Sequence, residues 1–157
     1  MAKKRQSIDP QEQRYYQAYP HFPGIAQGLT LLRHRKGGYW EAVFGDFETH
    51  APELLDELIQ VCRDTSNADI RWMLLEIIGG VQSTTALTLF TDYLTDPDER
   101  VRWWAAYGLH ALNTKEARTF LWDARTRALI QVEDPNNMRG MLDEIQKMPV
   151  PVKKSVP

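Results

Sequence analysis

Apolar residues along this chain recur at steps of three and four, the spacing that gathers side chains onto one face of a helix. Leu54, Leu55, Leu58, Ile59 and Cys62 make one such stripe, and Ile70, Leu74, Ile77, Ile78 and Val81 a second. Ala86, Leu89, Phe90, Tyr93 and Leu94 follow, then Val101, Ala105, Leu109 and Leu112 with Ala106 and Gly108 beside them. No segment alternates apolar and polar residues between hairpin turns, as strands would. The pattern predicts an all-α chain.

Polar residues punctuate these stripes. Asp9-Pro10-Gln11-Glu12 predicts a helix start: Asp9 can accept from the free first-turn amides, Pro10 suits the first helical position, and Glu12 can reach back. That helix should end near Tyr19, before Pro20, Pro23 and Gly24. A second helix is expected from about Ile25 to Arg35, stopping at Gly37-Gly38, and a short aromatic one over Tyr39 to Phe47. Pro52 then reads as the start of a cleaner helix, Ser66-Asn67-Ala68-Asp69 as a loop and cap, and Gly79-Gly80 as weakening the end of the helix that carries Ile70 to Val81. Ser83 can cap the next helix. Asp96-Pro97-Asp98-Glu99 repeats the opening device of residues 9–12 and starts a helix through Leu112; Asn113-Thr114-Lys115-Glu116 caps another, to about Leu129. Asp134-Pro135 opens the last helix, to about Met148, before Pro149 and Pro151. Residues 9–148 are thus expected as one helical domain between flexible tails at 1–8 and 149–157, with the conformation of 20–50 left open.

The units repeat. At a shift of 31 residues, Ile70-Arg71-Trp72 falls on Val101-Arg102-Trp103, Ile78 on Leu109, and Val81 on Leu112. Ser83 falls on Thr114, Ala86 on Ala117, Leu89-Phe90 on Phe120-Leu121, and Asp92 on Asp123. A weaker copy precedes it at Trp40, Leu54 and Leu58, and Asp134-Pro135 through Arg139 echoes Asp96-Pro97 through Arg102. Helix pairs at this period predict an α-solenoid of about three to four antiparallel pairs with capping helices at each end.

The stretch DPDERVRWWAAYGLHALNTKEA, residues 96–117, resembles HEAT-like repeats of the phycobilisome-lyase type: an Asp-Pro-Asp opening, Val-Arg, small residues, a Leu and a short turn. The resemblance covers 96–122 best, 66–95 fairly, and fades before 50. It implies that the arginine after the apolar residue braces neighbouring repeats by pairing with their acidic loops, a role falling on Arg71, Arg102 and Arg139. It also implies that the second helix of each pair lines a concave surface. Such repeats usually carry charged or polar residues where this chain has Trp103 and Tyr107. The family includes bilin lyase subunits, chaperones, scaffolds and relatives of DNA glycosylases, so membership fixes no chemistry.

Composition narrows the partner. A net charge of −2 and a pI near 6.1 supply no general attraction to nucleic acid. Cys62 is the single cysteine, which excludes an internal disulfide and a cysteine-based metal site; it reads as a small apolar helix residue. No apolar run of transmembrane length occurs, and the basic start MAKKRQS lacks the apolar core of a secretory signal. A cytoplasmic protein is expected.

Candidate chemistry is sparse. His21, His34, His50 and His110 lack metal-ligand spacing, and no phosphate loop, nucleophile elbow or paired acid and base stands out. No metal, cofactor or catalytic residue is expected. His34 lies in the basic run Arg33-His34-Arg35-Lys36, a solvated helix end or, less economically, a contact for phosphate or an acidic partner. Trp72, Glu76, Trp103, Tyr107 and His110 share a helical face across the two repeats and have the composition of a protein-binding hot spot. Trp103 could equally fill space between helices; Trp104 and Trp122 read as buried fillers.

The expected function is therefore a non-catalytic protein-binding solenoid that clamps a macromolecular partner in its concave face. A bacterial immunity protein neutralising a toxin, an adaptor and a chaperone all fit. An alkylpurine-glycosylase-like enzyme is the alternative, with Trp103, Tyr107 and Arg102 holding damaged DNA; the acidic pI and the lack of an Asp on that stripe weigh against it. A bilin lyase subunit has no local support beyond the repeat itself.

Overall fold

The computed structural model describes residues 9–34 and 37–130, the side chains of 37–39 excepted. Among these residues it contains seven α-helices, one 3-10 turn and no strand. The expected last helix over 134–148, Arg139 and both tails lie outside the described residues.

Helix α1 (Pro10–Ala18) begins as its sequence predicts, with Asp9 accepting from the Gln11 amide at 2.7 Å and Pro10 in the first turn. Helix α2 (Ile25–Arg33) follows Gly24, whose φ of 92° is left-handed territory that glycine enters without strain. Both pack on α3 (Gly37–Asp64). Tyr15, fully buried, donates from its hydroxyl to Asp46 Oδ2 at 2.7 Å. Gly28 lies so close to the Phe47 ring that a Cβ there would come within 2.5 Å of it.

Helix α3 corrects one expectation. The aromatic segment and the segment opened by Pro52 are a single helix, with Pro52 inside it. Pro52 has no amide to give the Glu48 carbonyl, a cost of up to about 3 kcal/mol. Across that point, however, Val43, Phe47, Ala51, Leu55, Leu58 and Cys62 are all buried on one unbroken stripe. Each fully buried large side chain contributes about 1.5–3 kcal/mol, so continuity of the stripe outweighs the missing bond.

Helices α4 (Ala68–Val81) and α6 (Glu99–Leu112) lie side by side, with α3 against α4, and α5 (Leu87–Tyr93) and α7 (Lys115–Thr126) against α6. The repeat read in the sequence reappears in the backbone. Asn67 caps α4 and Asp98, one period on, caps α6. Gln82 and Asn113 end these helices in the left-handed conformation, at φ of 56° and 49°. Ser83 then opens the 3-10 turn Thr84–Ala86 that leads into α5, and Thr114 opens α7. Paired helices without strands make this an all-α solenoid.

Two local details bear on the α4–α6 contact. Helix α4 runs through Gly79 and Gly80 to Val81, as its apolar spacing predicts. Gly79 allows close approach of α6: a Cβ there would sit 3.3 Å from the Tyr107 ring and 3.5 Å from Gly108 Cα. The start of α6 falls two residues beyond Asp96, at Asp98, which accepts from the Arg100 amide at 2.9 Å. Asp96 is buried and otherwise engaged, by Arg71 at 2.7 Å and by the Asp98 amide at 2.8 Å.

Candidate functional site

The face shared by α4 and α6 is built from two rows of small helical steps. Trp72, Glu76 and Gly79 follow one another on α4; Trp104, Tyr107 and Gly108 lie opposite on α6. The Trp72 and Trp104 rings stack with centroids 6.2 Å apart and planes 16° from parallel. Tyr107 meets Trp104 edge-on at 5.3 Å. On α3, Trp40 stacks on Phe44 at 4.9 Å, one turn before Glu48. Among the described residues, the buried indole N–H groups of Trp40 and Trp104 have no hydrogen-bond acceptor.

Glu76 is the chemically unusual member. Burial, and secondly the charge of Glu48, push its carboxyl from an ordinary value of 4.5 up to about 7. Among the described residues it has no ion-pair or hydrogen-bond partner. Near neutral pH this face therefore holds a carboxyl poised between neutral and charged.

Of the residues expected to form a patch, Trp72, Glu76 and Tyr107 do come together on this face. His110 is exposed near the end of α6. Trp103 is not an open position: only 7% of it is exposed, and Trp104 takes the place in the aromatic row. Residues 103 and 104 are adjacent around the helix and both neighbour 107, so spacing could not choose between them. Trp104 is buried as expected, whereas Trp122 is 70% exposed, because α7 turns Ala117 and Ala124 inward instead.

The arginines link successive units. Arg71 donates to Asp96 Oδ2 at 2.7 Å and to the Thr65 carbonyl at 2.7 Å, and its guanidinium lies 5.2 Å from the Tyr93 ring centroid. Arg102 repeats the second contact one period on, donating to the Asp96 carbonyl at 2.8 Å. Among the described residues its other bonds go to the carbonyls of Pro97 and Leu129. A further tie, Arg100, was not singled out from the sequence: it bridges Asp69 at 2.8 Å and Asp98 at 2.9 Å. Burial raises the Asp98 carboxyl, but bonding and charge from Arg100 outweigh that and hold it below its ordinary value. The available signal was periodic, since Asp69 and Arg100 occupy the same place in successive units.

Other sites are chemically quiet or lie elsewhere. Burial pushes the Cys62 thiol up to about 12, leaving it neutral, and it lies 3.8 Å from the Arg71 carbonyl. Among the described residues no group of three potential ligands could hold a metal, and no helix is long and apolar enough to cross a membrane. A separate cleft beside α1 includes Asp46 and His50, in the region whose path the sequence left open.

No curated protein and no solved structure matches the chain. The model of the family described as HEAT repeats matches residues 55–134, just over half of the 157 residues. That span includes the α4–α6 face and the arginine ties of both units, and the chain belongs to the HEAT-repeat family.

Proposed function

We propose that the chain is a non-catalytic binding solenoid that takes a protein partner on the α4–α6 face. The observation that carries this reading is Glu76: a partly buried carboxyl without a counter-charge among the described residues, one helical turn from Trp72, whose ring stacks on Trp104. Such a group is costly in the free protein, and a cationic or N–H donor side chain from a partner would relieve it. Tyr107 offers an aromatic contact beside it. Within this reading, neutralisation of a cognate toxin and service as an adaptor or chaperone are the specific roles that fit, and Arg71 and Arg102 have structural tasks between units.

Co-expression with proteins encoded beside it in its genome, followed by size-exclusion chromatography with light scattering, tests the reading. A stoichiometric complex is expected, weakened about tenfold or more by Glu76→Gln with Tyr107→Ala. A complex indifferent to both substitutions would place the contact on another face.

A further inference from the structure

A cleft of about 250 Å³ opens between α1, the turn that follows it and the first half of α3. Its walls include the rings of Tyr16, Tyr19, Phe22 and His50, with the Asp46 carboxylate among them. These groups are held in place from behind. Tyr15 donates to one Asp46 oxygen, Oδ2, at 2.7 Å, while Oδ1 has no hydrogen bond among the described residues. Phe22 meets the buried Phe47 edge-on at 5.1 Å, and His50 stacks on Phe22 at 4.7 Å with planes 15° apart. Gln27 donates to the Tyr19 hydroxyl at 3.3 Å.

Asp46 supplies a carboxylate acceptor, while the Tyr16 and Tyr19 hydroxyls and the His21 ring can each donate or accept. His50 Nδ1 lies 2.8 Å from the Asp46 carbonyl, which can only accept, so Nδ1 carries the hydrogen. In the neutral ring Nε2 is then an acceptor. The lining includes no lysine or arginine. Burial, then the charges of Asp46 and Glu12, raise the Tyr16 phenol above its ordinary value. An anion is disfavoured here, and a cation bearing N–H donors fits.

We infer that this cleft binds a guanidinium group, with Asp46 as its ion-pair partner and the Tyr16, Phe22 and His50 rings as stacking surfaces. A guanidinium is preferred to an ammonium because it is flat, weakly hydrated and stacks on aromatic faces while its edge donates to a carboxylate. The cleft is smaller than the roughly 300–1,000 Å³ usual for drug-sized ligands, which suits a single side-chain head group. The guanidinium could come from a small free compound or from an arginine of a partner protein. This site is separate from the α4–α6 face, so its failure leaves the proposed function untouched.

The test is an NMR titration of the full chain with methylguanidine, N-acetyl-arginine methylamide, its neutral citrulline counterpart, and a short arginine-containing peptide. Saturable shifts are expected for the signals of Tyr16, Phe22 and His50 with every guanidinium probe. Binding should weaken by about tenfold or more for citrulline and in Asp46→Asn, which still offers Tyr15 an acceptor. Tyr16→Leu, at an exposed position, should weaken binding severalfold without altering the melting temperature. Equal binding of citrulline, an unchanged affinity in both variants, or no saturable shift at about tens of millimolar probe would overturn the assignment. Tighter binding of the peptide than of methylguanidine identifies a partner's arginine as the source; equal affinities identify a free compound.

Discussion

Arg71 on α4 and Asp96 in the turn before α6 meet at 2.7 Å, with 17% and 6% of their side chains exposed. The same guanidinium holds the Thr65 carbonyl before α4, and the same carboxylate holds the Asp98 amide before α6. One ion pair thus ties together the entry turns of two successive units. Its shielding separates it from a surface bridge such as Arg127–Asp123, whose side chains are more than half exposed.

Removing one partner of a shielded pair strands the other, so Arg71→Met should destabilise the chain by about 3 kcal/mol in urea unfolding. Arg71→Met and Asp96→Ala combined should cost clearly less than the sum of the two alone. A strictly additive double mutant would show that the two side chains do not couple.

Gly108 and Gly79 face each other across the α4–α6 contact but differ in room. A Cβ at 108 would lie 2.3–2.5 Å from the Phe90 ring, whereas one at 79 meets the partly exposed Tyr107 ring at 3.3 Å. Gly108→Ala should therefore cost about 3 kcal/mol through overpacking of a buried ring. Gly79→Ala should stay within about 1 kcal/mol of the parent, its crowding offset by better helix propensity. Similar melting temperatures for the two variants would contradict this geometry.

Glu76 makes stability depend on pH in a stated direction. Its folded value near 7 lies above the ordinary 4.5, so between these limits the folded state binds more protons than the unfolded chain. Its contribution is then fully favourable below about pH 4.5, declines as pH rises, and is lost above about 7. Glu76→Gln should remove this dependence and stabilise the chain by about 1–3 kcal/mol at pH 8, and by little at pH 5. Parallel stability–pH curves for parent and variant would contradict the assignment.

The helical class, the 31-residue period and most helix boundaries were legible in the sequence because they rest on local rules. Spacing of apolar residues sets which side chains share a helix face, and Asp9, Asn67, Ser83 and Thr114 satisfy nearby amides whatever the rest of the chain does. Stacked helix pairs of the HEAT type followed from repetition of those local units. Tertiary structure decided the remainder. Periodicity cannot say which of two adjacent helix faces meets a neighbour, so it could not choose Trp104 over Trp103 for the aromatic row or turn Trp122 outward. Capping rules let either Asp96 or Asp98 open α6; the partner that takes Asp96 out of that role, Arg71, is 25 residues away. Pro52 reads as a helix start until the core under Phe47 and Leu55 carries α3 through it. The Asp46–His50 cleft likewise exists only because α1, with its following turn, folds back onto α3, a long-range contact that no local pattern encodes.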